Sequence, residues 1–249
     1  MIKIALPVTV LTVSYNAEAT ISRTIESVMS QTYENIEYIV IDGASKDDTA
    51  MIAESYVEKF CARPGRVMRV ISEPDRGMYD ALNKGARLAH GVIVGQINAD
   101  DWYEPDAVQT MAELYGREKY DLAWGSLNVI TGKGNIIKHA KRGLFWSTSH
   151  WCHPAAFASR EILLKYPYPL INSHDDFDFA THLYVDGKKL IPVDKVISNF
   201  TFGGMSTKKS LCEAKRRLDE IYGIHKKYGM SRLYYVYRLI FEAVKYILT

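Results

Sequence analysis

Two adjacent acids, Asp100 and Asp101, follow a short apolar run at residues 92–94 that is typical of a buried strand. Neighbouring residues on a strand point to opposite faces, so at a strand end each carboxylate can meet a different group of a ligand. Open α/β sheets bind their ligands beyond the carboxyl ends of the parallel strands. Hard divalent cations are held by one or two carboxylates together with substrate phosphates. The pair therefore suggests a metal-bridged phosphate ligand.

A second acidic cluster places Asp175, Asp176 and Asp178 within one turn after His174. Acids at the start of a helix are favoured by its dipole and can cap free amides, which accounts for two of the three. Three acids in one turn repel each other, and such crowding favours a raised pKa in at least one carboxyl group. A raised pKa suits a general base.

Two further side chains stand where predicted strands end, Tyr15 after the first strand and Asp42 after the second. An aromatic ring at such a place can stack on a nucleobase, and an aspartate can accept a hydrogen bond from a base or ribose. The simpler alternatives are a half-buried strand-end tyrosine and a turn or cap aspartate. These residues taken alone leave both alternatives open.

The chain lacks the glycine-rich phosphate cradles. No G-x-G-x-x-G follows the first strand and no G-x-x-x-x-G-K-[ST] occurs anywhere, which argues against a dinucleotide Rossmann site and a P-loop. A bound phosphate must then be neutralised by a metal or by basic side chains. Asp100 and Asp101 provide for the metal, and Arg76, in the segment 73–77, provides a basic side chain.

The elements that would position these residues alternate through the first hundred residues. We predict strands and helices in turn at residues 8–13, 17–30, 36–41, 47–60, 67–71, 78–89 and 92–94. This alternation predicts a mainly parallel sheet with helices on both faces. The later pattern is mixed, with helices at 105–115, 160–165 and 175–185 and strands at 122–131, 136–139, 155–158, 190–193 and 197–200. From residue 207 the chain is mostly helical and basic.

The bulk properties are those of an ordinary soluble protein. The 249 residues suffice for one large domain or two small ones, with 47% hydrophobic and 24% charged residues. A net charge of +2 gives no reason to expect nucleic acid as a partner. Three cysteines without metal-site spacing favour a reduced, cytoplasmic setting. We expect neither a signal peptide nor a spanning helix.

With these motifs in place, the chain resembles the family 2 glycosyltransferases, which are inverting enzymes with the nucleotide-sugar-binding GT-A fold. The matching blocks occur in family order and spacing between residues 8 and about 205, namely 12–16, 41–45 with Asp48-Thr49, 72–85, 98–103, His153-Pro154 and Asp175-Asp176. The block at 72–85 resembles the bacterial subgroup that builds capsule, exopolysaccharide and lipopolysaccharide repeat units. The implied fold is α/β, with a mainly parallel central sheet, helices on both faces and additional C-terminal helices.

The resemblance implies a role for each donor-side residue. Tyr15 would stack on the donor base and Asp42 would hydrogen-bond it. Asp100 would contact the ribose or a metal, and Asp101 would coordinate the Mg²⁺ or Mn²⁺ that bridges the diphosphate. Arg76 is a weaker candidate for the diphosphate.

The resemblance also implies that Asp176 is the catalytic base, with Asp175 matching the acidic residue that precedes it in the family. His153 would line the site near the sugar or acceptor, and a core or loop histidine is an equal alternative. Asp175 stands where glutamate is common, and Asn98 stands where many members have aspartate. Because an amide is a poorer metal ligand, we place the metal mainly on Asp101.

The implied function is transfer of a sugar from a nucleoside-diphosphate sugar to a hydroxyl of a glycan or polyprenyl-linked saccharide in surface polysaccharide biosynthesis. UDP is the default base, and GDP and dTDP remain open. One alternative is a sugar nucleotidyltransferase, which would normally show a basic, glycine-rich loop after the first strand. Another is a catalytically silent sugar-nucleotide-binding protein. An NAD-linked oxidoreductase lacks its glycine fingerprint here.

We predict a catalytic domain at 1–205, divided into a nucleotide half (1–101) and an acceptor half (102–205), and a helical tail at 206–249. About 17 helical residues from 233 would reach roughly 25 Å, short of a bilayer core. A basic, aromatic, amphipathic helix can lie in a membrane interface. We favour contact of 230–249 with the inner face of the cell membrane, because the expected acceptor is lipid-linked. Packing on the catalytic domain or on a partner chain, including a homodimer, is the alternative.

Overall fold

The computed structural model describes residues 5–132, 134–141, 151–201 and 211–230, together with positions 233, 235, 236, 239 and 240. The first part alternates strands and helices in the order β1 (Val8–Ser14), α1 (Ile21–Met29), β2 (Ile36–Asp42), α2 (Thr49–Ser55), α3 (Val57–Cys61), β3 (Arg66–Ser72), α4 (Met78–Leu88) and β4 (Ile93–Asn98). The second part is more mixed and contains β5 (Trp102–Tyr103), α5 (Ala107–Glu118), β6 (Leu122–Thr131), β7 (Gly134–Lys138), β8 (Ala156–Ser159), α6 (Arg160–Lys165), α7 (Asp175–Val185), β9 (Leu190–Thr201) and α8 (Leu211–Lys227).

One sheet of nine strands organises the described residues, in the order β3-β2-β1-β4-β8-β6-β9-β5, with β7 paired to β6. Strands β1 to β4 are parallel, and their register places Ser14, Asp42 and Ser72 side by side and Asn98 opposite Val13. The carboxyl ends of four strands therefore form one edge, where ligands bind in folds of this type. The predicted α/β architecture is confirmed.

The parallel strands form where buried β-branched residues run continuously. Every residue of β1 is buried, as expected for a central strand covered by helices on both faces. Helix α1 turns Ile21, Ile25 and Val28 toward this core at helical spacing. Helix α4 approaches closely at Gly85, where an added Cβ would lie 3.0 Å from Leu11.

Two predicted segments are divided into elements differently in the structure. The helix predicted from residue 47 to 60 divides at Tyr56, whose N–H donates to the carbonyl of Ala53 and tightens the turn between α2 and α3. The strands predicted at 190–193 and 197–200 are one strand, β9, because it pairs with β6 almost throughout. The pairing absorbs the intervening residues by register shifts around Ser126.

Helix α8 packs on the sheet-bearing part of the molecule. Leu218, Ile221 and Ile224 are buried, and Asp178 of α7 accepts hydrogen bonds from Lys227 Nζ (2.9 and 3.0 Å) and Tyr228 Oη (2.6 Å). The predicted domain boundary at 205/206 and most of the predicted tail helix fall outside the described residues. Within the described part of the chain, no helix combines the length and the apolar character needed to cross a bilayer.

Candidate active site

The loops after β1 and β2 are bonded to each other at the carboxyl edge. The N–H of Asn16 donates to Ser45 Oγ (2.8 Å), and Asn16 Oδ1 accepts the N–H of Lys46 (2.9 Å). Asn16 and Ala44 both adopt positive φ, at 48° and 57°. Tyr15 belongs to these bonded loops and its side chain is 60% exposed. Its ring is therefore available for stacking on a planar ligand.

The Asp42 carboxylate is fully buried at the centre of this edge. It accepts hydrogen bonds from Ser14 Oγ (3.1 Å), the Oγ and N–H of Ser45 (2.5 and 2.9 Å) and Ser72 Oγ (2.7 Å). These four bonds use about as many sites as a carboxylate offers. Asp42 thus ties together the ends of β1, β2 and β3, and a contact with a base requires that one of these donors be exchanged.

Arg76 lies in the loop between β3 and α4 with a side chain that is 77% exposed. Its N–H donates to Asp80 Oδ2 (3.1 Å), and its Nε lies 3.6 Å from the same oxygen. Gly77 takes φ +108° and donates its N–H to Asp75 Oδ1 (2.7 Å). The loop backbone is therefore held in place while the Arg76 guanidinium remains accessible to an anion.

Asp101 and Asp100 differ sharply in access. Asp101 is 0% exposed, with Oδ2 accepting from Asn98 Nδ2 (3.2 Å). Oδ1 of Asp101 has no hydrogen-bond partner among the described residues. Burial, and then the charge of Asp100, raise the pKa of Asp101 well above its usual value. Asp100 is half-buried, and its carbonyl accepts a hydrogen bond from Arg23 Nη2 (2.7 Å).

This pair of acids fits a divalent cation that is shared with a substrate. A buried carboxylate oxygen without a partner, next to a second and more exposed carboxylate, is a donor set that a hard cation stabilises. Among the described residues, no group of three His, Cys, Asp or Glu side chains could hold a metal by itself. Mg²⁺ sites of the substrate-bridged kind use one or two carboxylates and complete the shell with phosphate oxygens.

Asp176 lies in the first turn of α7 and is half-buried. Its Oδ1 accepts a hydrogen bond from Tyr79 Oη (2.7 Å) and its Oδ2 accepts one from Trp151 Nε1 (2.7 Å). Burial, and then the charge of Asp176, raise the pKa of Tyr79 well above its usual value, so its hydroxyl stays protonated and donates. Tyr79 belongs to the first turn of α4, directly after the Arg76 loop, and its bond therefore places Asp176 near the carboxyl edge of the sheet.

The neighbouring acids have structural partners. Both oxygens of Asp175 accept backbone N–H groups, from Ile171 and Asn172 at 3.0 Å each. Burial raises the pKa of Asp175 above its usual value. Asp178 is bound to Lys227 and Tyr228, as described above. The three neighbouring acids thus have three different sets of partners. Asp176 is the one with the most solvent access.

His153 is buried near Asp176. Its Nε2 lies 2.9 Å from Gln96 Oε1, an acceptor that also receives the Tyr168 hydroxyl (2.6 Å). Because an amide oxygen only accepts, we assign the proton of the imidazole to Nε2. Burial lowers the pKa of His153, which favours the neutral ring. Its centroid is 6.3 Å from that of Trp151 and 6.4 Å from that of Tyr79.

The structure brings His153 and Asp176 together and joins both to the strand edge that carries Tyr15, Asp42 and Asp100. The roles predicted for these residues, and for Arg76, Asp101 and Asp175, remain predictions. Sequence reasoning missed the hydrogen-bond donors of Asp176, namely Tyr79 and Trp151. Tyr79 lies inside the motif at 72–85, but nothing in that motif indicates a contact with a residue 97 positions away.

Solved structures share this fold. A Staphylococcus aureus TarS structure in complex with UDP-GlcNAc superposes with a TM-score of 0.70 at 18% identity, covering 90% of this chain and 65% of that one. The mannosyltransferase PcManGT from Pyrobaculum calidifontis, in complex with GDP-Man and Mn²⁺, gives 0.65 at 19% identity, covering 88% and 61%. At such identities the likeness establishes the GT-A fold alone.

Three curated relatives are similar in sequence. The putative glycosyltransferase EpsH of Bacillus subtilis is 35% identical over 111 residues, which are 45% of this chain and 31% of that protein. Chondroitin synthase of Escherichia coli is 33% identical over 128 residues, 51% of this chain and 18% of the synthase. The PGL/p-HBAD biosynthesis glycosyltransferase of Mycobacterium bovis is 26% identical over 206 residues, 69% and 77% of the two chains.

The chain thus spans less than a third of the first two relatives. The match to the family itself is broader. A sequence model described as "Glycosyl transferase family 2" matches residues 9–174, about two thirds of the chain, and the chain therefore belongs to glycosyl transferase family 2.

Proposed function

We propose that this protein is an inverting glycosyltransferase that moves a sugar from a nucleoside-diphosphate sugar to a hydroxyl of a glycan or polyprenyl-linked saccharide in surface polysaccharide biosynthesis. The observation that carries the proposal is the Asp176 carboxylate, which is oriented through both oxygens by Tyr79 and Trp151 beside the donor-side strand edge. A base must be held in one geometry relative to the proton that it removes. The bonds to α4 and to Trp151 supply that geometry.

In the proposed reaction Asp176 removes the proton from the acceptor hydroxyl. The acceptor oxygen attacks the anomeric carbon from the side opposite the nucleoside diphosphate. The new carbon–oxygen bond forms as the bond from the anomeric carbon to the phosphate oxygen breaks, and the electron pair leaves with the diphosphate. A single displacement inverts the configuration, so an α-linked donor gives a β-linked product.

The donor would lie along the ends of β1 to β4. Tyr15 is exposed for stacking on the base, and the exposed Arg76 guanidinium could neutralise the diphosphate. Asp42 would contact the base in exchange for one of its serine donors. UDP is the first candidate, and the UDP-GlcNAc bound to TarS supports it. The GDP-Man bound to PcManGT supports GDP as the second.

We place the divalent metal, Mn²⁺ or Mg²⁺, at the end of β4. Asp101 was predicted as its ligand, but full burial separates this side chain from solvent, whereas Asp100 is accessible. We therefore propose that Asp100 holds the metal, with Asp101 and Asn98 behind it. A bound metal would neutralise charge on the leaving diphosphate. The Mn²⁺ in the PcManGT complex supports a divalent metal, and the two adjacent carboxylates support its place.

The acceptor class is proposed from the relatives. EpsH and chondroitin synthase are named for glycosyl transfer and for glycan synthesis, which supports a saccharide acceptor. His153 would line the acceptor side, because it packs beside Trp151 and Tyr79 around the base. A lipid-linked saccharide acceptor would require the enzyme to work at the inner face of the membrane. This requirement agrees with the predicted cytoplasmic location.

A donor screen tests the proposal directly. Thermal-shift measurements with UDP-, GDP- and dTDP-sugars and Mn²⁺ should show stabilisation by one base class, and that donor should release its nucleoside diphosphate in a coupled assay. Asp176→Asn should keep the thermal shift and lose turnover by about 10²- to 10⁴-fold, the usual contribution of a general base. Asp194→Asn changes an acid whose side chain is 82% exposed and should leave turnover unchanged.

Near-normal turnover in Asp176→Asn would show that Asp176 is not the base. Wild-type protein that binds a nucleotide sugar but releases no diphosphate, with water or a glycan as acceptor, would favour a silent binding protein.

A further inference from the structure

Helix α8 contacts the turn that leads into α7. The family match ends at residue 174, so α8 belongs to the part of the chain that the family assignment leaves without a role. Its Glu220 side chain is only 15% exposed and reaches Ser173 and His174, the two residues that directly precede α7. These residues lie within three positions of Asp176.

The contact consists of several hydrogen bonds to one carboxylate. Glu220 Oε2 accepts Ser173 Oγ (2.7 Å) and lies 2.7 Å from His174 Nδ1, while Oε1 accepts Arg216 Nη1 (2.6 Å). Arg216 Nη1 also donates to Ser173 Oγ (3.2 Å). Although burial raises the pKa of Glu220, the bonds from Ser173 and His174 hold it below its usual value. The group is thus an ionised acceptor at neutral pH.

The turn held by Glu220 also carries the start of α7. The His174 carbonyl accepts the N–H groups of Phe177 (3.0 Å) and Asp178 (2.9 Å). The Ser173 carbonyl accepts the Tyr79 hydroxyl at 3.2 Å, and this same hydroxyl lies 2.7 Å from Asp176 Oδ1. A shift of the turn therefore moves the first turn of α7 and disturbs the Tyr79 bond to the base.

A separate anchor keeps α8 in place when this contact is lost. Asp178 binds Lys227 and Tyr228 at the other end of α8, as described above, and Ile221 and Ile224 are buried in the core. Removal of the Glu220 charge should loosen the turn without detaching the helix.

We infer that Glu220 is a positioning residue that sets the orientation of Asp176 by holding Ser173 and His174. The inference rests on the proposed role of Asp176 as the base. It assigns to the C-terminal helix a part in catalysis, although α8 supplies no group to the reacting atoms.

Glu220→Gln tests the inference, because the described partners of the carboxylate include donors on both oxygens and an amide can accept on one side only. The matched control is Glu213→Gln, which removes the other α8 carboxylate that binds Arg216. The readouts are the ¹⁵N-indole signal of Trp151, assigned by its loss in Trp151→Phe, and turnover with the donor from the screen. The indole signal reports the hydrogen bond to Asp176 without any need for activity.

In Glu220→Gln we expect the Trp151 indole signal to shift or broaden. We expect kcat to fall by about 10- to 100-fold, the scale of a misplaced catalytic group, with an unchanged donor KM. Glu213→Gln should match wild type in both readouts. An unchanged indole signal in folded Glu220→Gln overturns the inference, whatever the turnover.

If Glu220→Gln does not fold, Ser173→Ala decides the same question. It removes the hydroxyl that donates to Glu220 and keeps the carbonyl that Tyr79 contacts, and it should move the indole signal in the same direction. An unmoved signal in Ser173→Ala overturns the inference in that case. Failure of the proposed function would appear differently, as wild-type protein without transfer activity while the indole signal still responds to Glu220.

Discussion

Asp100 and Asp101 are adjacent in sequence but differ in what surrounds their carboxylates. Asp101 is enclosed, with one oxygen on Asn98 and the other without a partner among the described residues, whereas Asp100 is half-exposed. A buried charge without full hydrogen bonding is costly, so protonation of Asp101 or a nearby cation is favoured. The accessible acid is the one that can meet a metal carried in with a substrate.

Substitution of each acid separates these roles. We expect Asp100→Asn to remove the Mn²⁺-dependent part of donor binding, a loss of at least about tenfold or 1.4 kcal/mol. Asp101→Asn should retain that dependence. It should also raise the Tm of the metal-free protein at neutral pH, because a neutral amide avoids burying the charge that the raised pKa reflects. Calorimetry of donor binding with and without Mn²⁺, with Tm measured in parallel, gives the answer. Loss of the Mn²⁺ dependence in Asp101→Asn, with the dependence kept in Asp100→Asn, would show that Asp101 is the metal ligand.

Residue types and spacing predicted that Tyr15, Asp42 and Asp100 share one edge of the sheet, because parallel strands bring successive strand ends together. In the structure Ser14, Asp42 and Ser72, the last residues of three parallel strands, lie side by side. The hydrogen-bond partner of each acid in α7 could not be predicted from the sequence. Successive helical residues point about 100° apart, so which of Asp175 and Asp176 faces the site depends on how α7 packs. That packing involves residues up to 97 positions away.

At the level of elements, local patterns predicted strands β1 to β3 and helices α6 and α7 to within one residue at each end, the strands from their continuous runs of apolar residues. Strand β4, predicted at 92–94, extends to Asn98. The pattern failed where pairing overrides it. The segment 190–201 contains Asp194 and Lys195, which lie between the two predicted strands, yet β6 pairs with the segment almost throughout and makes it one strand. The junction between β6 and β9 is thus a tertiary feature, and it is unusually tight at Gly125.

Gly125→Ala tests that tightness. An added Cβ would lie 2.0 Å from Ile197 Cγ1 and 2.9 Å from the Lys195 carbonyl, so β9 must move. We expect a loss of about 1–3 kcal/mol in the free energy of unfolding, as for other overpacked sites. Gly116→Ala in α5 is the control, since an added Cβ there meets nothing within 4 Å. It should stabilise by about 0.5–1 kcal/mol. Urea unfolding midpoints distinguish the two, and equal midpoints would show that β9 relaxes freely.

For the whole molecule, the remaining question is what the C-terminal segment contacts. Helix α8 packs on α7 and on the core, and the boundary predicted at 205 stays a prediction. Beyond α8, the ring of Tyr235 lies 5.0 Å from that of Tyr222 on α8. Leu233, Val236 and Ile240 are spaced for one helix face and are 77%, 53% and 60% exposed. Exposed apolar side chains at this spacing are typical of a face that contacts a protein or membrane surface.

We expect this face to contact an anionic membrane surface, because residues 230–249 carry three basic side chains and one acidic side chain among aromatic and aliphatic residues. The 249-residue chain should float with vesicles that contain phosphatidylglycerol, and float less with vesicles of phosphatidylcholine alone. A chain ending at residue 229 keeps α8 and should stay at the bottom of the gradient. A triple change of Leu233, Val236 and Ile240 to serine keeps the charge and should also abolish flotation. Equal flotation of the full and shortened chains, or a dimer that dissociates on shortening, would assign this face to protein packing instead.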